Sequence, residues 1–161
     1  MGEELVETQV LSSLVELVTA WTSVATQGRI ATQVGVTIPE TDIRALYTLG
    51  RVGGAIRPSA LADELQIARP TMSKMISRMT GEGLAERTEL PRNAATGDGR
   101  GALVALTPAG QAAYRALVDA GQVMVSAALG DLSAADALVV TRVMRRLVEE
   151  LPVDRTLPPA P

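Results

Sequence analysis

Leu61-Ala62-Asp63-Glu64-Leu65-Gln66-Ile67-Ala68-Arg69-Pro70-Thr71-Met72-Ser73-Lys74-Met75-Ile76-Ser77-Arg78-Met79 is the stretch that decides the fold. It predicts two short helices close together, one from Pro58 to about Leu65 and one from Pro70 to about Thr80, with Gly81 and Gly83 ending the second. In the second helix Met72, Met75, Ile76 and Met79 recur at helical spacing on one side, while Arg69, Thr71, Ser73, Lys74, Ser77 and Arg78 fill the others. Such a helix docks one face on a domain and offers hydroxyls and cations from the rest.

Immediately downstream the period changes to two. Leu84, Glu86 and Thr88 face oppositely to Ala85, Arg87 and Glu89, and Leu103-Val104-Ala105-Leu106 forms a matching apolar strand. The connection over residues 91–101 is rich in Gly and polar residues and predicts an exposed loop. Helix, turn, helix and a hairpin with a basic loop is the layout of a winged helix-turn-helix, whose second short helix lies in the major groove of DNA. Hydroxyls suit phosphates and base edges, Arg and Lys pair with guanine acceptors, and a helix N-terminus attracts phosphate. The candidate DNA contacts are therefore Arg69, Pro70, Thr71, Ser73, Lys74, Ser77 and Arg78 on the second helix, with Arg57 and Ser59 where the first begins. Arg92 and Arg100 of the loop are placed to enter the minor groove, where Arg is favoured. Asp98 is assigned to hold Arg100 or the loop backbone.

Working outward, Val6, Val10, Leu14, Leu17, Val18, Trp21 and Ala25 predict one long amphipathic helix from residue 5 to about 27, followed by a looser stretch over 29–36. Thr37 and Glu40 have capping-box spacing around Pro39, so a second helix is expected to about Leu49, with Gly50 as its left-handed end and Gly53-Gly54 forbidding continuation. After the hairpin, Thr107-Pro108 starts a helix reaching Leu129, and Ser133 with Asp136 opens a last one striped by Val140, Val143, Met144, Leu147 and Leu151. The fold class is mainly α with a small β-hairpin wing (α+β). Residues 1–36 are expected to form an N-terminal dimerisation helix, 37–107 the winged helix-turn-helix DNA-binding domain, 108–152 the C-terminal dimerisation helices and 153–161 a disordered tail.

Composition narrows the chemistry. A chain of 161 residues is one domain's worth, and 47% apolar residues with a mean hydropathy of +0.19 exceed what a monomer of this size usually hides, which points to a buried subunit interface. Cys and His are both absent, which excludes disulfides, thiol switches, His or Cys zinc sites and catalysis that uses either residue. Asp63-Glu64, Glu149-Glu150 and Lys74 with its neighbouring serines read as solvated helix charges, so no enzyme and no cofactor are expected. The acidic start and the lack of a long apolar run predict a soluble, cytoplasmic protein with no membrane partner. Net charge is −3, yet residues 51–100 carry +2 against −5 elsewhere, a basic middle between acidic flanks.

The stretch quoted above, followed by Gly83-Leu84-Ala85-Glu86-Arg87, Asp98-Gly99-Arg100 and Leu106-Thr107-Pro108-Ala109-Gly110, closely resembles the MarR family of bacterial transcription regulators. The resemblance implies a homodimeric winged-helix regulator, usually a repressor, on a pseudo-palindromic operator. It places the recognition helix at about 69–80 in the major groove and the wing at about 90–101 in the minor groove, with the family's Asp-x-Arg on Asp98 and Arg100. Ala68 stands where the family commonly has a capping Ser or Thr, so this helix start relies on Pro70 and on packing. In the family the first and last helices of two subunits interleave, and many members respond to small aromatic or phenolic effectors. Trp21, Arg44 and Tyr47 are the residues expected to line such a pocket. The alternative is a winged-helix protein-interaction module without specific DNA binding.

Overall fold

The computed structural model describes residues 2–89 and 102–151, with side chains over 5–88 and 102–151. In chain order the described elements are α1 (Gly2–Trp21), α2 (Val24–Gln33), α3 (Glu40–Val52), α4 (Pro58–Leu65), α5 (Arg69–Gly81), β1 (Ala85–Glu89), β2 (Ala102–Leu106), α6 (Pro108–Leu129) and α7 (Ala134–Glu150). The mainly helical class with a two-stranded hairpin is as the sequence predicts. The expected tail, 153–161, lies outside the described residues.

Two helix boundaries differ from expectation. The single helix predicted over 5–27 is two helices, broken at Thr22-Ser23, and the supposedly loose stretch after residue 29 is largely the second of them. Ser23 has extended backbone and its Oγ accepts from the Thr26 N–H at 3.2 Å, while Gln27 Nε2 donates to the Trp21 carbonyl at 2.6 Å. These bonds satisfy groups that a helix break leaves open. The four-residue step from Trp21 to Ala25 carries the apolar rhythm across the corner and conceals it.

The second difference concerns α3. The Thr37–Glu40 box does not form; Pro39 is the N-cap with no side-chain bond, and the Glu40 carboxylate lies beside Gly28. The helix also runs past Gly50 to Val52 and ends on Gly53, whose φ of 67° is the left-handed conformation that favours glycine. Gly50 is needed for a different reason, since a Cβ there would overlap the Tyr114 ring of α6.

The core lies between α3, α4, α5 and the hairpin. Ile43, Leu46 and Leu49 of α3 meet Leu61 and Leu65 of α4, Met72, Met75, Ile76 and Met79 of α5, Val104 and Leu106 of β2, and Leu117 of α6. Full burial of each large side chain contributes about 1.5–3 kcal/mol. Strands β1 and β2 are antiparallel, with Ala85 opposite Leu106 and Arg87 opposite Val104. Ile56 adds one further rung, exchanging two 2.9 Å backbone hydrogen bonds with Val104 and so tying the α3–α4 connection to the sheet.

Thr107 secures the exit from the hairpin. Its Oγ1 accepts from the Gly110 N–H at 3.1 Å and donates to the Gly83 carbonyl at 2.5 Å, and its own N–H bonds the Leu84 carbonyl at 3.0 Å. Gly110 has to be glycine, because a Cβ there would overlap the Leu84 carbonyl oxygen. Ser133 caps α7 as predicted, accepting from the Asp136 N–H at 3.2 Å and donating to its carboxylate at 2.6 Å. No residue of α7 is buried within the chain.

Candidate nucleic-acid interface

Helix α5 divides as its sequence requires. Met72, Met75, Ile76 and Met79 are each at most 2% exposed, whereas Arg69, Pro70, Thr71, Ser73, Lys74, Ser77 and Arg78 all lie on the solvent side. No Asp or Glu occurs in the helix, so nothing along its own length neutralises the basic face. Its N-cap, Ala68, makes no side-chain hydrogen bond, and Pro70 stands in the first turn. Arg57 is the exposed N-cap of α4, and Ser59 is half-buried two residues further on, in the first turn. Arg92, Asp98 and Arg100 lie outside the described residues.

Two of the exposed side chains are already engaged. Ser77 Oγ donates to the Ser73 carbonyl at 2.9 Å, a bond within the helix. Arg78 forms a two-pronged pair with Asp42 of α3, Nε to Oδ2 at 3.0 Å and Nη2 to Oδ1 at 2.6 Å. Asp42 is only 1% exposed, and the Thr41 hydroxyl also donates to its Oδ1 at 3.1 Å. Its hydrogen bonds and charge hold the Arg78 guanidinium above its ordinary pKa, with Glu82 adding a smaller effect in the same direction. A second pair, Arg51 to Glu64 at 2.7 Å, joins α3 to α4. Helix α3 is thus ion-paired to both helices of the helix-turn-helix and fixes their angle.

Sequence reasoning missed Asp42. The signal was present, since Asp42 shares the apolar stripe of Ile43, Leu46 and Leu49, and a carboxylate at such a position requires a partner. It also missed Arg87, which β1 places beside α5 next to Arg69, Ser73 and Ser59.

Trp21, Arg44 and Tyr47 line one cavity of about 680 Å³, together with Thr22, Gln27, Thr48, Glu64 and Leu65. The cavity spans the α1–α2 corner, α3 and α4. Gln27 Oε1 is buried there without a hydrogen-bond partner among the described residues. Burial, and then the neighbouring Tyr114, push the Tyr47 phenol above its usual pKa; the two rings meet edge to face with centroids 6.0 Å apart. Among the described residues no group of three acidic side chains is placed to hold a metal ion, and no helix is long and apolar enough to cross a membrane.

The model of the MarR family matches residues 34–95, which include α3, α4, α5 and β1. The family match covers the winged-helix lobe, and the chain as a whole shares the fold of solved MarR-family structures. Solved structures extend the likeness to the flanking helices. RV1404 from Mycobacterium tuberculosis is 23% identical, with a TM-score of 0.69 over 92% of this chain and 94% of that one. FabT from Streptococcus pneumoniae, solved in complex with DNA, is 17% identical, with a TM-score of 0.64 over 91% and 95%. NadR in complex with 4-hydroxyphenylacetate is 22% identical, with a TM-score of 0.57 over 85% and 92%. At these identities the likeness is one of fold. Curated protein sequences yield no match.

Proposed function

We propose that this protein is a MarR-family regulator of transcription, a homodimer that binds DNA sequence-specifically and acts as a repressor. The observation that carries the reading is α5, which buries four apolar side chains and presents Arg69, Thr71, Ser73 and Lys74 on a face free of carboxylates. This is what a helix in the major groove needs, with cations for phosphates and guanine and hydroxyls for base edges. The DNA in the FabT structure belongs to that protein and supports the assignment by likeness of fold. Residues 37–107 are the DNA-binding lobe, with Arg57, Ser59 and Pro70 flanking the reading face and the wing residues Arg92, Asp98 and Arg100 as its minor-groove arm.

Dimerisation is assigned to residues 1–36 and 108–152. Leu5, Val6, Val10, Leu11, Val15, Leu17 and Val18 of α1 and Leu138, Val139, Val143 and Val148 of α7 are exposed in the single chain. Apolar surface of that extent marks an interface. A two-fold dimer sets two α5 helices about 34 Å apart, one turn of DNA, and so calls for a pseudo-palindromic operator.

The cavity holding Trp21, Arg44 and Tyr47 is assigned to a small aromatic or phenolic effector. It touches both lobes, so a ligand preferring a different lobe spacing weakens DNA binding through differential affinity for the two states.

In binding titrations Lys74→Ala and Arg69→Ala should each lose about 1–3 kcal/mol of operator affinity if they read a base, with unchanged thermal stability. Full affinity in both variants would overturn the site assignment.

A further inference from the structure

Between α4, α5 and β1 the surface holds a notch of about 170 Å³. We propose that it seats one backbone phosphate of duplex DNA beside the recognition helix, with Arg87 as the contact supplied by the hairpin. The inference rests on the DNA-binding reading above.

Four polar side chains from three elements converge there: Ser59 from the first turn of α4, Arg69 and Ser73 one turn apart on α5, and Arg87 on β1. Arg87 alternates with Glu86 and Thr88 and shares its strand face with the buried Ala85, which directs it toward α5. Met72 and Ile76, each 1% exposed, form the floor. Among the described residues no carboxylate lines the notch.

Two other arginines of this lobe, Arg51 and Arg78, are committed to carboxylates, whereas neither Arg69 nor Arg87 makes an ion pair among the described residues, and neither the Ser59 nor the Ser73 hydroxyl is hydrogen-bonded there. Two guanidiniums that share a notch repel each other until an anion sits between them. The apolar floor reduces solvent screening of that anion. The planar fork of Arg fits two phosphate oxygens, and serine hydroxyls are standard phosphate donors. At roughly 30 Å³ for each water, the notch has the volume of about five or six, enough for a phosphate group with water to spare.

The test compares the full-length protein with Arg87→Ala and Arg87→Lys on a random-sequence duplex, where phosphate contacts dominate affinity. Each phosphate contact contributes about 0.9 to the slope of log affinity against log salt, so between about 50 and 200 mM salt the wild type should lose about 3.5-fold more affinity per notch than Arg87→Ala. Arg87→Lys, which keeps the charge, should restore the slope. Matched melting curves establish that the variants fold. An unchanged slope in Arg87→Ala, with the wild type bound, overturns the notch while leaving DNA binding standing. A wild type that binds no duplex overturns both, and a parallel titration with inorganic phosphate, followed through the arginine side-chain NMR signals, then distinguishes a seat for free phosphate from no seat at all.

Discussion

The guanidinium of Arg78, on the exposed side of α5, is clamped in two places by the carboxylate of Asp42, which is buried at the start of α3. An arginine in this position would ordinarily be assigned to a base. Its fork is instead committed to a neighbouring helix, and in the function proposed above its part is to hold α5 against α3 while Arg69 and Lys74 face the DNA.

Arg78→Ala and Asp42→Asn should therefore both lower the thermal midpoint, and the double variant should lose much less than the sum of the two, as expected for partners in one interaction. Arg78→Lys should not rescue, because an ammonium cannot reproduce the fork. Duplex binding should weaken by the same factor on preferred and random sequences. A lost preference at one base position with an unchanged melting curve would return Arg78 to base reading.

Much of this lobe was legible beforehand. The boundaries of α4 and α5, the buried face of Met72, Met75, Ile76 and Met79, and the caps at Thr107 and Ser133 follow from local rules of spacing and capping, which act within a few residues. What was hidden depends on residues distant in sequence. The Asp42–Arg78 pair spans 36 positions, the Ile56 rung joins a turn to a strand far along the chain, and Gly50 answers to a ring on α6. The α1–α2 corner was lost because its apolar rhythm continues through the break, although Ser23 was there to mark it.

Glycine at 50 and 110 permits close approach of helix to ring and of helix to backbone. Gly50→Ala should cost about 1–3 kcal/mol, the range for overpacking. Gly110→Ala should cost more, since its added methyl meets the Leu84 carbonyl of the main chain instead of a side chain that can turn aside. Urea denaturation midpoints at constant slope would measure both, and equal midpoints for wild type and Gly110→Ala would contradict the packing described.

Leu138, 65% exposed on α7, touches little within its own chain. Leu138→Glu should leave the helical signal in circular dichroism intact while shifting the solution mass from twice 16.8 kDa toward a single chain. Light scattering at micromolar concentration reads this directly, and a wild type that already runs as a monomer would remove α7 from any interface.

Tyr47 provides a test by pH. Its folded-state pKa is raised above the ordinary value of 10.0, so the protonated phenol favours the folded state. That contribution is fully present below the unfolded pKa and is lost as pH rises through the folded one. Stability should accordingly fall above about pH 10, and Tyr47→Phe should remove that part of the fall together with the late-titrating phenolate absorbance. An alkaline stability profile unchanged by Tyr47→Phe would show that the ring does not titrate against burial.

The central claim, that a dimer reads DNA through α5, is tested most directly by selecting binding sites from a library of random duplexes at two salt concentrations. The expected result is enrichment of a pseudo-palindrome whose half-sites lie about one helical turn apart, with affinity that falls steeply as salt rises. Recovery of the input library without enrichment, at both salt concentrations, would contradict it.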